Sequence, residues 1–402
     1  MSLSAEQHAN RAAWLQLVLT SGLGPVTVQE LLRQFGLPED VLAASATALA
    51  KVLPPNLIAA VADRSPQRLA QIDANLDWAE APDRHLIALN EPEYPQQLLN
   101  LTDPPPLLWV IGDVRLLQQP CLAIVGSRHA SQSGVAHAQA FARALGDAGW
   151  TIVSGLAQGI DAAAHRGGLA SRASTIAFVG NGLDRVYPAV NRDLAHQIAA
   201  QGAIVSEFSL GTPPMRDHFP RRNRLIATIA LGTLIVEAAR QSGSLITARL
   251  AAEAGRDVFA IPGSIDSPLA KGCHALIKQG AKLVESAEDV LGELSRFGVR
   301  PDRLPADRQG PNSTSNAGSG AMPSSASSSA SSAPPAISDE MAGNTAELQA
   351  LLQFVGWDPI SVDQLAQRSG AAVAQLSSNL LLLELAGRVE RLRDGRYQQL
   401  VS

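Results

Sequence analysis

The sequence predicts an α/β fold, a doubly wound parallel sheet between a small helical domain and a C-terminal domain of helices and a hairpin. Three observations predict it. Between Cys121 and Gly263, short continuous apolar runs alternate with helix-like segments, as in strands buried on both faces and linked by helices. Turns rich in Gly and Ser follow those runs. A Ser-, Ala- and Pro-rich stretch at 301–344 then separates the last 58 residues, because such a composition buries too little surface to offset chain entropy.

Residues 1–78 are expected to be helical. Trp14, Leu15, Leu17, Val18 and Leu19, then Val28, Leu31, Leu32 and Phe35, recur at helical spacing. The turn Ser21-Gly22-Leu23-Gly24-Pro25 between them is like that of a helix-hairpin-helix. Such a turn can offer N–H groups to phosphates or simply connect two helices. In so acidic a segment the connector is expected.

The central region spans 79–300. Strands are expected at His85–Leu89 and Leu107–Ile111, then at Leu122–Val125, Thr151–Ser154, Thr175–Val179, Ala203–Ser206, Leu234–Val236 and Val258–Ile261. Helices are expected at Val135–Ala148, Asp161–Ala170, Arg192–Ala200, Asn223–Ile229 and Leu245–Ala254.

Residues 345–402 read as helices at Ala346–Val355, Ser361–Ser369 and Ala371–Leu385, with a hairpin turned at Asp394-Gly395 by a type I′ signal. That is the order of a winged helix. The third helix has no Lys or Arg, so docking to protein is expected over reading of bases. Arg388, Arg391, Arg393 and Arg396 leave contact of the wing with phosphate open.

The 402 residues carry a net charge of −5, unevenly placed. Residues 121–300 hold 18 Lys and Arg against 14 Asp and Glu, whereas residues 1–120 hold 7 against 13. Positive charge thus gathers where the glycine turns lie. No apolar run approaches the ~20 residues of a membrane span, and the N-terminus lacks a signal-peptide pattern. The two cysteines, Cys121 and Cys273, form no disulfide framework and imply a reducing cytoplasm and no structural zinc.

Ligands of a doubly wound sheet bind outside the carboxyl ends of its strands. The turns there are Gly126-Ser127-Arg128, Ser154-Gly155, Gly180-Asn181-Gly182, Glu207 with the loop Gly211–Pro220, Glu237 with Ser242-Gly243-Ser244, and Pro262-Gly263. Glycine lets a phosphate approach the backbone, and helix N-termini add positive potential. Arg221, Arg222 and Arg224 flank Asn223 nearby, and guanidinium forks suit phosphate. Arg216 precedes Phe219 by three residues, a cation to hold phosphate and a ring to stack on a base. A nucleic-acid backbone or a nucleotide is the ligand class these features favour.

Catalytic patterns are missing. The sequence has no H-E-x-x-H, no G-x-x-x-x-G-K-[ST], no G-x-S-x-G and no dinucleotide G-x-G-x-x-G at its first turn. Asp161, Glu207 and Glu237 near strand ends could serve as acids or bases. Asp161 is expected to cap the helix it opens and Glu237 to orient an arginine.

Eight strings in one order resemble the DNA-processing protein A family: Ala123–Arg128, Ser154–Asp161, Tyr187-Pro188, Ser206-Glu207 with Gly211-Thr212-Pro213, Phe219–Arg224, Val236–Ala238, Ser242–Ala248 and Val258–Gly263. The resemblance is dense over 85–295. The end domains are also like those of the family, a SAM-like or helix-hairpin-helix N-terminus and a winged-helix C-terminus. It implies a Rossmann-like central domain and a homodimer formed through it. The implied activity is binding of single-stranded DNA during natural transformation and loading of the RecA recombinase, with no reaction catalysed and no cofactor. It further implies that Arg128 contacts DNA, that Arg216 stands where the family has a phosphate-contacting lysine, and that Phe219 contacts bases. Gly126, Ser127, Gly155, Arg221, Arg222, Asn223, Ser242 and Gly243 would line the same pocket. Leu210 stands where a proline is common, with little effect expected.

The alternative is an enzyme, a nucleoside-monophosphate N-glycosidase. Phosphoribohydrolases with this type of sheet use a Gly-Gly-x-Gly-Thr loop followed by glutamates. Ser242-Gly243-Ser244 after Glu237 departs from that pattern and disfavours hydrolysis. A third possibility is a scaffold held by its terminal domains.

Overall fold

Nine strands form one sheet in the order β1-β2-β6-β5-β4-β3-β7-β8-β9. They are β1 (Arg84–Ala88), β2 (Leu107–Gly112), β3 (Cys121–Val125), β4 (Thr151–Ser154), β5 (Thr175–Val179), β6 (Ala203–Ser206), β7 (Gly232–Ile235), β8 (Asp257–Ala260) and β9 (Lys282–Leu283). This is a computed structural model, and it describes residues 5–295, 348, 351–352, 354–355, 359–392 and 394–400. The expected linker at 301–344 and much of the helix expected at 346–355 lie outside the described residues.

From β6 to β9 every pairing is parallel, while β1 and β2 add an antiparallel margin. The strand order reverses at β3, with β4, β5 and β6 to one side and β7, β8 and β9 to the other. Such a reversal opens a crevice at the carboxyl ends of the flanking strands.

The parallel strands are apolar throughout because both of their faces are covered. Leu122, Ile124, Ile152 and Leu234 pack beneath Phe141, Leu145, Ile160 and Val290, which come from α7 (Gln132–Asp147), α8 (Ile160–Leu169) and α13 (Ala287–Leu294). The alternate residues Ala123, Val125, Phe178 and Ile235 pack with Leu225, Ile226, Ala248 and Cys273 from α10 (His218–Ile229), α11 (Ser244–Glu253) and α12 (Lys271–Lys278). α9 (Arg192–Gln201) adds Leu194 and Ile198 against Ala177 and Val179.

α10 begins five residues before the expected Asn223. Pro220 falls in its first turn, where a missing N–H leaves no intrahelical bond unmade. Its Arg224 ties the helix to two loops. One guanidinium nitrogen meets Glu207 Oε2 at 2.5 Å, and the other donates to Asp103 O at 3.0 Å.

The N-terminal helices α1 (Ala5–Val18), α2 (Pro25–Phe35), α3 (Pro38–Ala43), α4 (Ala46–Leu49), α5 (Pro55–Val61) and α6 (Pro66–Trp78) belong to the same compact unit, Met1–Leu304. Trp14, Leu15, Ile72 and Leu76 close over Leu86, Leu107 and Trp109, and Trp109 Nε1 donates to Asn75 Oδ1 at 2.9 Å.

The second unit has its own core, including Ile360, Leu365, Leu376, Leu380, Val389 and Tyr397. Helix Val362–Ser369 opens with a Ser361–Gln364 capping box, and Val373–Leu385 follows. Strands Val389–Arg391 and Tyr397–Gln399 pair antiparallel. Of the expected pair Asp394-Gly395, Gly395 has positive φ, +84°, and Asp394 does not, so these two are not the central pair of a type I′ turn, which needs both positive.

Candidate nucleic-acid interface

β3 runs into Gly126-Ser127-Arg128 at the reversal point. Ser127 N donates to Glu237 O at 2.7 Å, and Ile160 N donates to Ser127 O at 3.1 Å. A Cβ on Gly126 would lie 2.7 Å from Ile160 Cγ1 and 2.8 Å from Glu237 O, so the turn is built around the absence of a side chain. Gly126 and Ser127 therefore shape the loop from behind the site.

The Glu237 carboxylate engages Ser131, not an arginine as the sequence suggested. Ser131 N donates to Oε2 at 2.9 Å, and Ser131 Oγ donates to Oε1 at 2.7 Å. Ser131 in turn caps α7 by accepting from Gly134 N at 2.9 Å. The loops after β3 and β7 are thus locked together across the reversal.

Asp161 also departs from expectation. It accepts from Gly155 N at 3.1 Å and Ala157 N at 3.4 Å, holding the loop after β4 and leaving the N–H groups of its own helix. Burial raises the Asp161 carboxyl above its ordinary range, against the pull of Arg222 and these N–H groups. Next to Gly155, Leu156 has φ of 56°, unusual for a side chain of this kind. Leu156 N donates to His165 Nε2 at 3.1 Å. His165 Nδ1 therefore carries the proton and faces Thr175 Oγ1 at 2.8 Å, and Thr175 Oγ1 donates onward to Ile152 O. Burial holds His165 down at about 3, neutral.

These loops enclose a cavity of about 220 Å³ lined by Arg128, His129, Gly155, Ala157, Gln158, Val179, Gly180, Asn181, Tyr187, Pro188, Phe219 and Arg222. The Arg128 guanidinium carbon lies 5.4 Å from the Phe219 ring centroid, within cation–π range. Tyr187 stands beside Phe219 with centroids 5.7 Å apart. Arg222 is buried at 4% exposure. Its Nη1 donates to Gly155 O and Phe178 O, and its Nε donates to Asn223 Oδ1 at 3.1 Å. Burial lowers the Arg222 guanidinium to about 10, so it stays a cation at neutral pH.

The structure brings Arg128, Gly155, Phe219 and Arg222 together around one cavity. Other residues expected there lie elsewhere. Asn223 stands behind Arg222 as its hydrogen-bond partner. Arg216 is exposed on the turn before α10. Arg221 points to a separate cleft with Gly22, Gly24, Pro25 and Phe208, stacked 5.1 Å over Phe208 and paired with Glu207 at 3.1 Å. Consecutive helical residues project about 100° apart, which carries Arg221 and Arg222 to different sides of α10. Ser242 and Gly243 line a third cleft with Arg240, Arg249, Arg256 and Lys282. Their loop follows β7, on the other side of β3 from β4 and β5, and neither residue lines the cavity.

Sequence reasoning left Asn181, Gln158, Tyr187 and His129 out of the pocket. Their signal was position, since all four lie in turns after strands or in the loops that extend them. Among the described residues, no three His, Cys, Asp or Glu side chains gather as a metal site needs. No described helix is long and apolar enough to cross a membrane. Cys121 and Cys273 are buried free thiols, both pushed up to about 12 by burial, which suits packing rather than reactivity.

Fold and site together define a doubly wound α/β protein with a cationic, aromatic-lined cavity at its strand-order reversal. The family model "DNA recombination-mediator protein A" matches residues 85–295, and "DprA winged helix domain" matches 329–395. The chain belongs to the DNA recombination-mediator protein A family. It is 34% identical to a protein Smf of Synechocystis, over 98% of this chain and 99% of the relative. With a protein Smf of Escherichia coli it shares 40% identity over 81% of this chain and 80% of the relative. The X-ray structure of DNA processing protein A from Streptococcus pneumoniae superposes with a TM-score of 0.56 at 35% identity, covering 73% of this chain and 99% of that one.

Proposed function

We propose that this protein binds single-stranded DNA at the carboxyl edge of its sheet, protects it, and loads the RecA recombinase onto it during natural transformation and recombination. The observation that carries the reading is the Arg128–Phe219 pair at the cavity. A guanidinium fork for phosphate beside a ring for stacking is the minimal unit of single-strand binding. A duplex keeps its base faces stacked inside and offers the ring nothing. Membership of a recombination-mediator family points to DNA as the strand.

The RecA partnership and a homodimer through the Rossmann-like domain rest on the family resemblance, and action in the cytoplasm rests on the cysteine usage. The four-part division into 1–78, 79–300, 301–344 and 345–402 rests on composition and apolar periodicity. We propose no catalysed reaction. In support, each carboxylate near a strand end holds structure: Asp161 holds a loop, Glu207 pairs with Arg221 and Arg224, and Glu237 locks Ser131.

Fluorescence anisotropy with labelled single- and double-stranded oligonucleotides of one length tests this. The wild type should prefer the single strand, and Phe219→Ala should erase most of that preference, about tenfold for one stacking contact. Equal affinity for both forms in the wild type would refute it.

A further inference from the structure

The cleft that holds Arg221 lies between the turn joining α1 to α2 and the residues that follow β6, with a volume of about 250 Å³. Its walls are apolar at Leu23, Val28, Pro105, Pro106 and Phe208. Arg221 is half-exposed there and stacks over Phe208. Its Nη2 meets Glu207 Oε2 at 3.1 Å, while its Nε and Nη1 have no partner among the described residues. Gly22 and Gly24 line the cleft from the turn. Neither Gly22 N nor Gly24 N has an acceptor among the described residues. Gly24 caps α2 without a side chain, so the positive end of that helix begins at the cleft.

The cleft also carries a group of the opposite kind. Glu207, which lines it, has only 1% of its side chain exposed. Its Oε2 takes both Arg221 and Arg224, and Oε1 is buried with no partner among the described residues. A buried acceptor left bare is costly, so a ligand that brings it a donor is favoured.

The cleft thus suits an anion with a hydrogen-bond donor beside it and an apolar group attached. The last residue of a peptide has all three. Its α-carboxylate matches the Arg221 fork and the glycine N–H groups. Its own amide N–H matches Glu207 Oε1, and its side chain matches the apolar walls. A phosphodiester brings the anion alone, and further phosphates along a strand would face the Glu207 carboxylate. The volume falls below the ~300 Å³ at which pockets for whole ligands begin, which suits a single residue.

We infer that this cleft captures the C-terminal residue of a partner protein whose chain ends in an aliphatic or aromatic side chain. The site is separate from the cavity at the strand-order reversal, because α10 turns Arg222 to one and Arg221 to the other. The inference goes beyond the single-strand reading and stands or falls without it.

Fluorescence anisotropy on the full chain tests it with a labelled pentapeptide, Gly-Ser-Gly-Ser-Phe, as the free acid, as the C-terminal amide, and as a free acid ending in Ser. The Phe acid should bind at least about tenfold more tightly than its amide, the scale of one lost charge-assisted hydrogen bond. The acid ending in Ser should bind more weakly than the acid ending in Phe. Arg221→Gln should bring acid and amide to the same affinity, and Arg221→Lys should restore part of the difference. General loosening of the fold would not discriminate between the two peptide ends in this way. Equal affinity of acid and amide in the wild type, or no saturable binding of the acid by about 1 mM, overturns the inference. So does displacement of the bound acid by oligothymidine, which would assign the cleft to phosphate.

Discussion

Ser131 Oγ donates to Glu237 Oε1 at 2.7 Å across the point where the strand order reverses. Two loops from neighbouring strands are held as one piece, and the turn bearing Arg128 is set before any ligand arrives. Preorganisation of this kind lowers the ordering cost of binding. Glu237→Ala leaves Ser131 N without its acceptor and should cost about 1–3 kcal/mol of stability, measured by chemical denaturation. Affinity for a single strand should fall too, although Glu237 does not line the cavity.

Gly155 lies against the Arg222 guanidinium, and a Cβ there would overlap it. Gly155→Ala should displace Arg222 from its two carbonyls and reduce binding as strongly as Arg222→Met does. Isothermal titration with an oligonucleotide checks this. Unchanged binding in Gly155→Ala would mean that Arg222 has no part in the site.

His165 gives a pH signature. Its folded value, about 3, lies below the ordinary 6.5, so the unfolded chain binds a proton that the native state refuses. The stability this difference provides is present above pH 6.5 and is lost as pH falls toward 3, with a slope of at most about 1.4 kcal/mol per pH unit. Denaturation curves between pH 7 and 4 should show the loss, and His165→Gln should flatten it. Protonation also opposes the Leu156 N–H bond, so single-strand affinity should fall in the same range.

The extent to which the sequence revealed this follows from what is local. Apolar runs such as Cys121–Val125 and Thr175–Val179 mark buried strands, since both faces are covered and no alternation is needed. The start of α10 was hidden by Pro220, which reads as a breaker yet suits a first turn. Side-chain direction was less legible. Arg221 and Arg222 are adjacent in sequence and diverge on the helix, and Ser242-Gly243 shares the glycine signature of the other turns but lies beyond the reversal. Glu237 and Asp161 found partners 106 and 6 residues away, Ser131 and Gly155, and only the first pairing needed the tertiary fold.

The separate clefts yield a negative prediction. Ser242→Ala and Arg221→Ala should leave single-strand affinity within about twofold of wild type, since surface changes away from the cavity cost little. Gel-shift titration checks this, and a tenfold loss in Ser242→Ala would extend the binding surface past the reversal point.

The most direct test of the central claim is the salt dependence of single-strand binding by wild type and Arg128→Ala. If Arg128 holds a phosphate at the cavity mouth, the variant should bind more weakly and its slope of log affinity against log salt should be shallower by ~0.7, the share of one single-strand phosphate contact. The same affinity and slope in both proteins would contradict it.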